Sequence, residues 1–450
     1  LDPLGRLKRQ IATLNDLTEG GKGKTKVAAG LSQTAVKRSY GYDRTGNLTH
    51  STDQRTGTTK FEYDRLGRIT QAGNELFAFD PAHNILSDGL NAIPDNRLKT
   101  YNGTTYYYDE LGNLIHRELA DGEVQNYFYD LHDQLVKAEI FKKDGSKETW
   151  AYTYDALGRR IGKGRLKTSQ EVSDDLENHT RFVWDGSHLL QEIHLDGRYT
   201  YIYTDQESYE PLAQVHDWTN AEGENQQQTR YFHCDQIGIP REMTDKDGNL
   251  LWFGNYTGWG RLKEETKVTD SAYQPFRLQN QYADRETGLH YNFFRYYEPD
   301  AGRFVNQDPI GLMGGDNLYW FAPNVQMWLD PLGLLGIPHF NGRRGEARAL
   351  FDVARNGFKN IRTQVPMTVN GQNIIADIVA ERGGKTYVFE SKFGSGRLTK
   401  NQRASNAFPT GRCANANTSR KGGGTILTSK GKVVNVNGRD ITFILLRYKK

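Results

Sequence analysis

Residues 106–114 read Tyr-Tyr-Tyr-Asp-Glu-Leu-Gly-Asn-Leu, with aromatic rings at 106 and 108, then Asp109, Gly112 and the apolar Leu114. Successive side chains of a strand point to opposite faces, so residues 106 and 108 lie on one face. An Asp followed by a Gly favours a tight turn that reverses the chain into a second strand. The stretch therefore predicts a strand, a turn and the start of the next strand.

Six further copies of this pattern lie between residues 40 and 186. The aspartates of successive copies are 16 to 30 residues apart, so the repeat length is irregular. They stand at Asp43, Asp64, Asp80, Asp109, Asp130, Asp155 and Asp185. Stacked side by side, the copies predict a continuous β-sheet in which the aromatic and Asp residues are structural.

The composition excludes several classes of protein. With 450 residues the chain exceeds what one hydrophobic core usually serves, so we expect at least two domains. Aromatic residues make up 12% of the chain, whereas disordered chains lack them. The sequence has no run of about 18 apolar residues, so it predicts no membrane-spanning helix. Two cysteines, Cys234 and Cys413, are too few for a disulfide framework.

The formal net charge of +3 hides an asymmetry between two parts of the chain. Residues 335–450 contain 21 Lys and Arg against six Asp and Glu, a net charge of +15, whereas residues 1–334 have a net charge of −12. A small basic domain is typical of proteins that bind polyanions. The asymmetry therefore predicts two parts with different functions.

The repeats resemble the YD repeats of Rhs proteins, which are similar to insecticidal toxin-complex C components and teneurins. The resemblance implies a mainly β shell, or cocoon, that encloses a C-terminal toxin. It divides the chain into a repeat shell over residues 1–281, a core-closing segment over 282–334 and a toxin domain over 335–450. Leu1 to Leu7 match the second half of a repeat, so we expect more shell to precede residue 1 in the native protein.

Two Asp-Pro-x-Gly motifs, which begin at Asp308 and Asp330, stand 22 residues apart in the closing segment. Such a motif is by itself a favourable turn. The Rhs resemblance implies a further role, in which the two aspartates catalyse self-cleavage of the Leu334–Leu335 bond. Two neighbouring carboxylates share a proton and act as acid and base, as in aspartic proteases.

The toxin domain is predicted to be a small mixed α/β domain. Apolar residues at helical spacing predict a helix over 343–357, and Thr399 to Gln402 predict a capping box that opens a second helix. Asn370 and Gly371 predict a hairpin turn. Strands are expected over residues 365–369, 373–381, 385–392, 425–428 and 441–448.

Asp377 is the single acid in an otherwise apolar strand, and Glu390 and Lys392 lie two residues apart on the next. An acid in such a strand is costly unless it is paired or bound to a metal. The order resembles that of the PD-(D/E)xK nuclease superfamily, which is of restriction-endonuclease-like type, over residues 343–403. Glu346 and Gln402 match the helix Glu and the Gln that some members add, while Ala376 replaces the Pro of the motif.

The resemblance implies a role for each residue. Asp377 and Glu390, with Glu346, would ligate Mg²⁺ or another divalent cation. Lys392 would orient or deprotonate the attacking water, and Gln402 would complete the catalytic set. Five basic residues are expected to attract the phosphates of the nucleic acid: Arg343, Arg344, Arg397, Lys400 and Arg403.

A DNase released by self-cleavage is the preferred interpretation of the toxin domain. An RNase in the same shell is an alternative, as is a non-enzymatic repeat protein with a nucleic-acid-binding tail. The expected partners are DNA or RNA, a cognate immunity protein, and a secretion apparatus engaged through a missing N-terminal region. We expect a secreted effector, delivered by a type VI system, that acts in the target-cell cytoplasm.

Overall fold

The computed structural model describes residues 1–2, 6–13, 34–86, 93–167, 176–205, 208–334, 336–338, 349, 353, 358–393, 397–408, 418–427 and 433–448. The chain divides into two compact units, which we name the repeat unit (residues 1–336) and the terminal unit (residues 337–450). The expected boundary of the toxin domain lies after residue 334. No helix in the described ranges is long and apolar enough to cross a membrane.

Two antiparallel sheets, each with its strands in chain order, make up most of the repeat unit. The first has six strands: β1 Arg9–Thr13, β2 Thr34–Tyr42, β3 Leu48–Asp53, β4 Gly57–Tyr63, β5 Ile69–Ala72 and β6 Glu75–Leu76. A separate hairpin, β7 Ala78–Phe79 and β8 Ile85–Leu86, follows it, and then a short 3-10 helix, Pro94–Asn96.

The second sheet has fifteen strands. They are β9 Thr100–Tyr101, β10 Thr104–Tyr108, β11 Leu114–Glu118, β12 Val124–Tyr129, β13 Leu135–Phe141, β14 Lys147–Tyr154, β15 Arg160–Leu166, β16 Leu176–Asp185, β17 His188–His194, β18 Gly197–Tyr203, β19 Pro211–Thr219, β20 Asn225–Cys234, β21 Pro240–Thr244, β22 Leu250–Tyr256 and β23 Leu262–Lys267. The predicted strand-turn-strand repeats are confirmed, but they do not form one continuous sheet. The repeats at Asp43 and Asp64 lie in the six-stranded sheet, the one at Asp80 in the β7–β8 hairpin, and the later ones in the fifteen-stranded sheet, which extends well beyond the last repeat recognised in the sequence.

The repeat motif has a physical explanation in these strands. The register shifts at the second aromatic residue of the pair, for example at Tyr129, whose hydroxyl donates to the Leu114 carbonyl at 2.9 Å. The following Asp130 accepts the backbone N–H groups of His132 and Gln134 and so holds the turn. The same shift and hydroxyl contact recur at Tyr203 and Tyr256, which the sequence pattern did not identify.

The segment after β23 consists of short strands and turns, and most of its residues are buried. Its strands are β24 Tyr282–Ala283, β25 His290–Asn292, β26 Arg295–Glu298, β27 Arg303–Phe304 and β28 Trp328–Leu329, with a 3-10 helix at Gly311–Met313. The next strand along the chain, β29 Ile337–Pro338, begins the terminal unit. Buried ion pairs join this segment to the large sheet: Arg160 contacts Asp284 at 2.5 Å, and Arg117 contacts Glu298. Arg303 donates to Asn84, next to β8. The closing segment therefore packs against several parts of the repeat unit.

The terminal unit is a closed five-stranded barrel with the strand order β30-β31-β32-β34-β33. The strands are β30 Lys359–Val369, β31 Gln372–Arg382, β32 Lys385–Phe393, β33 Thr418–Leu427 and β34 Val433–Tyr448, and a five-residue helix, α1 Lys400–Ala404, follows β32. Of the neighbouring pairs, β32 and β34 run parallel, whereas the others are antiparallel. Buried side chains that include Val379, Val388, Phe408 and Phe443 form its core.

Several local predictions for this unit are confirmed. Asn370 and Gly371 both have positive φ, as a hairpin turn requires, and Thr399 and Gln402 form the capping box. The strands are longer than predicted, because their polar and Gly-rich ends carry no apolar signal. Ala349 and Val353 are helical and buried, while the rest of the predicted helix 343–357 lies outside the described residues. The described part of the unit is thus mainly strand, and the predicted mixed α/β class stays a prediction.

Candidate functional sites

Asp377 and Glu390 lie side by side on adjacent strands of the terminal unit. Ile378 of β31 pairs with Phe389 of β32, so Asp377 and Glu390 are the adjoining cross-strand pair in this antiparallel register. Both side chains are buried, with Asp377 8% exposed and Glu390 1% exposed. The barrel therefore brings together two carboxylates that the sequence separates by a hairpin.

Burial is the main reason why the pKa of Glu390 rises to about 7, and the charge of Asp377 raises it further. Lys392 and Gln402 act in the opposite direction, and Lys392 Nζ donates to Glu390 Oε1. The other carboxylate oxygen, Glu390 Oε2, is buried and accepts no hydrogen bond of ordinary geometry from the described residues. This oxygen is available to a ligand.

Asp377 is held by a residue that the sequence analysis did not identify. Its Oδ2 accepts hydrogen bonds from the Ser391 backbone N–H at 2.7 Å and from the Ser391 hydroxyl at 3.1 Å. Ser391 lies between Glu390 and Lys392 in the chain. The only feature of the sequence that could have indicated a role for Ser391 is its position between Glu390 and Lys392.

Gln402 belongs to the same cluster. It is buried on α1, its side chain accepts from the Thr399 N–H at 2.9 Å, and its amide donates to the Ile375 carbonyl at 3.2 Å. The structure therefore brings Asp377, Glu390, Lys392 and Gln402 together. The remaining predicted residues fall into two groups: Arg397, Lys400 and Arg403 are exposed, whereas Glu346, Arg343 and Arg344 lie outside the described residues.

The cluster has the donor set of a divalent-cation site, since two carboxylates and a carboxamide are hard oxygen ligands. Within the described ranges no group of three His, Cys, Asp or Glu side chains is placed to hold a metal. Glu390 Oε2, which has no hydrogen-bond partner among the described residues and belongs to the acid beside Asp377, is the observation that fits a cation. Glu346, the third predicted acid, is not among these residues.

A second pair of acids lies in the closing segment of the repeat unit. Asp308 and Asp330 are both buried, and Arg295 lies between them, with its Nη2 3.1 Å from Asp308 Oδ2 and 3.6 Å from Asp330 Oδ2. Arg295 also donates to the Gly333 carbonyl. The sequence analysis gave Arg295 no role, because a buried cation between two acids is apparent only in the fold.

The pKa of Asp308 rises to about 7, chiefly through burial and also through the charge of Asp330, while Arg295 acts against the rise. The same burial lowers the pKa of Arg295. Near neutral pH Asp308 therefore exchanges its proton readily, which suits a general acid.

The backbone at the predicted cleavage position lies beside these acids. Asp330 Oδ1 accepts the Leu334 N–H at 2.9 Å. A methyl group on Gly314 would lie 2.1 Å from Asp308 Oδ2 and 2.9 Å from the Leu334 carbonyl oxygen, so those two oxygens are at most 5.0 Å apart, the sum of the two distances. Leu335 lies outside the described residues.

The repeat unit is thus a series of strand-turn-strand repeats closed by a largely buried segment, and sequence comparison finds family models that match parts of it. Two family models match the chain, one described as RHS repeat over residues 42–76 and one described as RHS protein over residues 230–266. The predicted resemblance to Rhs proteins is confirmed by these matches.

Three curated relatives are similar to most of the chain. Double-stranded DNA deaminase toxin A of Burkholderia cenocepacia (strain H111) is 36% identical over 357 residues, 74% of this chain and 24% of the relative. Toxin protein Tse5 of Pseudomonas aeruginosa is 30% identical over 397 residues, 74% of this chain and 28% of the relative. Probable deoxyribonuclease RhsA of Dickeya dadantii (strain 3937) is 28% identical over 386 residues, 78% of this chain and 25% of the relative.

The chain spans about a quarter of the length of these relatives. Among solved structures, the crystal structure of TcdB2-TccC3-TEV aligns with a TM-score of 0.40 and 18% identity over 67% of this chain and 18% of that chain. The names of the curated relatives state different activities, a deaminase and a deoxyribonuclease among them. Similarity over this part of the chain therefore does not by itself define the chemistry of the terminal unit.

Proposed function

We propose that the chain is part of an Rhs toxin whose terminal unit cuts nucleic acid with a divalent cation held by Asp377 and Glu390. The observation that carries the proposal is the buried carboxylate pair: one oxygen of Glu390 has no hydrogen-bond partner among the described residues, and Lys392 lies against the other. Two buried neighbouring acids are costly unless a cation compensates them. A net charge of +15 in residues 335–450 suits a polyanionic substrate.

Each residue of the cluster has a role in this proposal. When bound, the cation lowers the pKa of a water and neutralises charge on the phosphate. Ser391 fixes the orientation of Asp377, and Gln402 on α1 stabilises Glu390 through a side-chain hydrogen bond. Lys392 would orient the attacking water and offset charge on the phosphate, while the cation would be held through Glu390 Oε2. Glu346 supplies a further ligand.

DNA is the preferred substrate, because two relatives are named for action on DNA. RNA is the second candidate, since the cluster contacts a phosphate rather than a sugar. Delivery of the toxin by a type VI system, action in the target-cell cytoplasm and a cognate immunity protein belong to the same proposal.

Cleavage assays on the purified chain test the nuclease. With Mg²⁺ it should cut plasmid DNA, and EDTA should abolish cutting; parallel reactions with RNA separate DNase from RNase. Asp377→Asn and Glu390→Gln should lose cleavage yet still shift DNA in a gel. Glu381→Gln is the matched control, because Glu381 lies on β31 but bonds Asn360 at the exposed end of the strand. Full cutting by the Asp377→Asn, Glu390→Gln double variant would refute the assignment.

We further propose that Asp308 and Asp330 hydrolyse the Leu334–Leu335 bond. Asp330 takes a proton from a water whose oxygen bonds to the Leu334 carbonyl carbon, while protonated Asp308 donates to the carbonyl oxygen. The carbon–nitrogen bond then breaks as Asp330 gives the departing Leu335 nitrogen the proton that it took from the water, and the hydroxyl formed from the carbonyl oxygen returns its proton to Asp308. Arg295, between the two acids, orients both and balances their charge. The products are a carboxylate at Leu334 and an amine at Leu335.

Mass spectrometry tests the self-cleavage. The wild type should yield fragments that end at Leu334 and begin at Leu335, whereas Asp308→Asn and Asp330→Asn should remain intact. Asp316→Asn, an exposed acid in the same segment, is the control and should cleave normally. Identical patterns for all four proteins would contradict the proposal.

A further inference from the structure

A groove runs along the terminal unit between the β30–β31 hairpin and α1. Its volume is about 770 Å³, within the range of sites that take small molecules. The residues that matter in its wall are Pro366, Thr368, Ile375, Lys400, Asn401 and Gln402.

The groove adjoins the carboxylate pair. Ile375 and Asp377 are two residues apart on β31, so their side chains leave the strand on the same face. Gln402 lines the groove, donates to the Ile375 carbonyl and also lies against Glu390. If a polymer is bound at Asp377 and Glu390, the monomer next to the bound one would therefore lie in the groove.

The groove wall is apolar on one side and polar on the other. Ile375 is 54% exposed, and among the described residues of the terminal unit it is the large apolar side chain left exposed. Pro366, its cross-strand partner in β30, extends this apolar surface. The exposed Lys400 and the Asn401 carboxamide lie on α1, so a cation and an amide face the apolar pair.

We propose that this groove binds one unpaired nucleotide of the substrate, next to the phosphate that is cut. The face of a nucleobase that has left its stack is apolar and packs against apolar side chains, while its edge bonds amides. Ile375 and Pro366 supply the apolar wall, and Lys400 attracts the adjoining phosphate. The inference rests on the proposed nuclease function and deepens it: the substrate is single-stranded or unpaired at this position.

The test measures binding of a labelled single-stranded DNA oligonucleotide to the full chain by fluorescence anisotropy in EDTA. Ile375→Ser should weaken binding at least about fivefold, because it removes most of the apolar contact. Ile375→Leu keeps the apolar surface and should bind within about twofold of the wild type. Lys400→Gln should weaken binding, whereas Lys385→Gln, the same charge change at an exposed site on the far hairpin turn, should not.

The failures of the two proposals are distinguishable. If the wild type cuts DNA with Mg²⁺ while Ile375→Ser binds the oligonucleotide and cuts as the wild type does, the groove assignment is overturned and the nuclease stands. If the wild type neither binds nor cuts any nucleic acid, both are overturned. Circular dichroism of each variant checks that the barrel is folded, and equal losses for Ile375→Ser and Ile375→Leu would show a packing defect, contrary to the proposal.

Discussion

Asp308 and Glu390 are acids in different units whose pKa values both rise to about 7. Burial is the main cause in each case, and a second aspartate nearby adds to it, Asp330 for the first and Asp377 for the second. A neighbouring cation, Arg295 or Lys392, limits the rise. Each acid is thus protonated at mildly acidic pH and ionised at mildly basic pH, which gives both proposed reactions a defined pH dependence.

Self-cleavage should slow as the pH rises above about 7. Protonated Asp308 is the active form, and its fraction falls about tenfold per pH unit above its pKa. The rate is measured by releasing the chain from denaturant into buffers of different pH and following the fragments on denaturing gels. A rate that increases between pH 7 and pH 9 would mean that Asp308 is not the acid.

Metal affinity should weaken as the pH falls below about 7. Glu390 is protonated there, so the cation must displace a proton, and the apparent Kd should rise about tenfold per pH unit. Titration calorimetry with Mg²⁺ or Mn²⁺ in buffers of different ionisation heat measures both the affinity and the proton released. Glu390→Gln removes the proton and should remove the pH dependence; a wild-type affinity that is constant from pH 5.5 to 8 would contradict the ligand assignment.

At the scale of the element, buried ion pairs hold the closing segment against the large sheet. Arg160 of β15 is 1% exposed, contacts Asp284 at 2.5 Å, and is surrounded by the rings of Tyr152, Phe182, Tyr282, Tyr291 and Tyr296. Lys163 also reaches Asp284, at 3.0 Å. Charges in β15 therefore position the segment that contains Asp308 and Asp330, the acids proposed to catalyse self-cleavage.

Arg160→Met should destabilise the repeat unit by about 3–5 kcal/mol, because it leaves buried Asp284 with one cationic partner fewer. Arg159→Met is the matched control: Arg159 precedes it but pairs with Asp155 on the half-exposed turn, so its loss should cost under about 1 kcal/mol. Urea unfolding followed by tryptophan fluorescence compares the two. Equal losses would show that the buried pair has no special role.

The sequence could predict those elements whose signal is local. The turn at Asn370 and Gly371, the capping box at Thr399 and the strand-turn-strand repeats all depend on residues a few positions apart. Arg295, Arg160 and Ser391 were missed because their partners lie 13 to 124 residues away, and only packing brings them together. The repeats at Tyr203 and Tyr256 were missed because they lack part of the aromatic pair or the Asp-x-x-Gly turn.

At the scale of the whole molecule, charge is divided between the parts of the chain. Residues 1–334 have a net charge of −12 and residues 335–450 a net charge of +15, so the total of +3 describes neither. In the proposed function a polyanion would be attracted to residues 335–450, because this part has the net positive charge. Binding and cutting would then be separable properties, since attraction would depend on basic residues spread over that part and cutting on four clustered side chains.

Binding of duplex DNA to the metal-free chain should therefore weaken steeply with salt. If Arg343, Arg344, Arg397, Lys400 and Arg403 each neutralise a phosphate, the logarithm of the binding constant should fall against the logarithm of salt concentration with a slope of about −4.5. Between 50 and 200 mM salt that slope weakens binding about 500-fold. Asp377→Asn should keep the slope and lose only cutting, whereas Lys400→Gln should reduce the slope by about 1. Anisotropy titrations in EDTA measure these slopes. The salt dependence comes from the counterions that basic residues release when they bind phosphates. A slope near zero would therefore mean that contacts other than the basic residues hold the DNA.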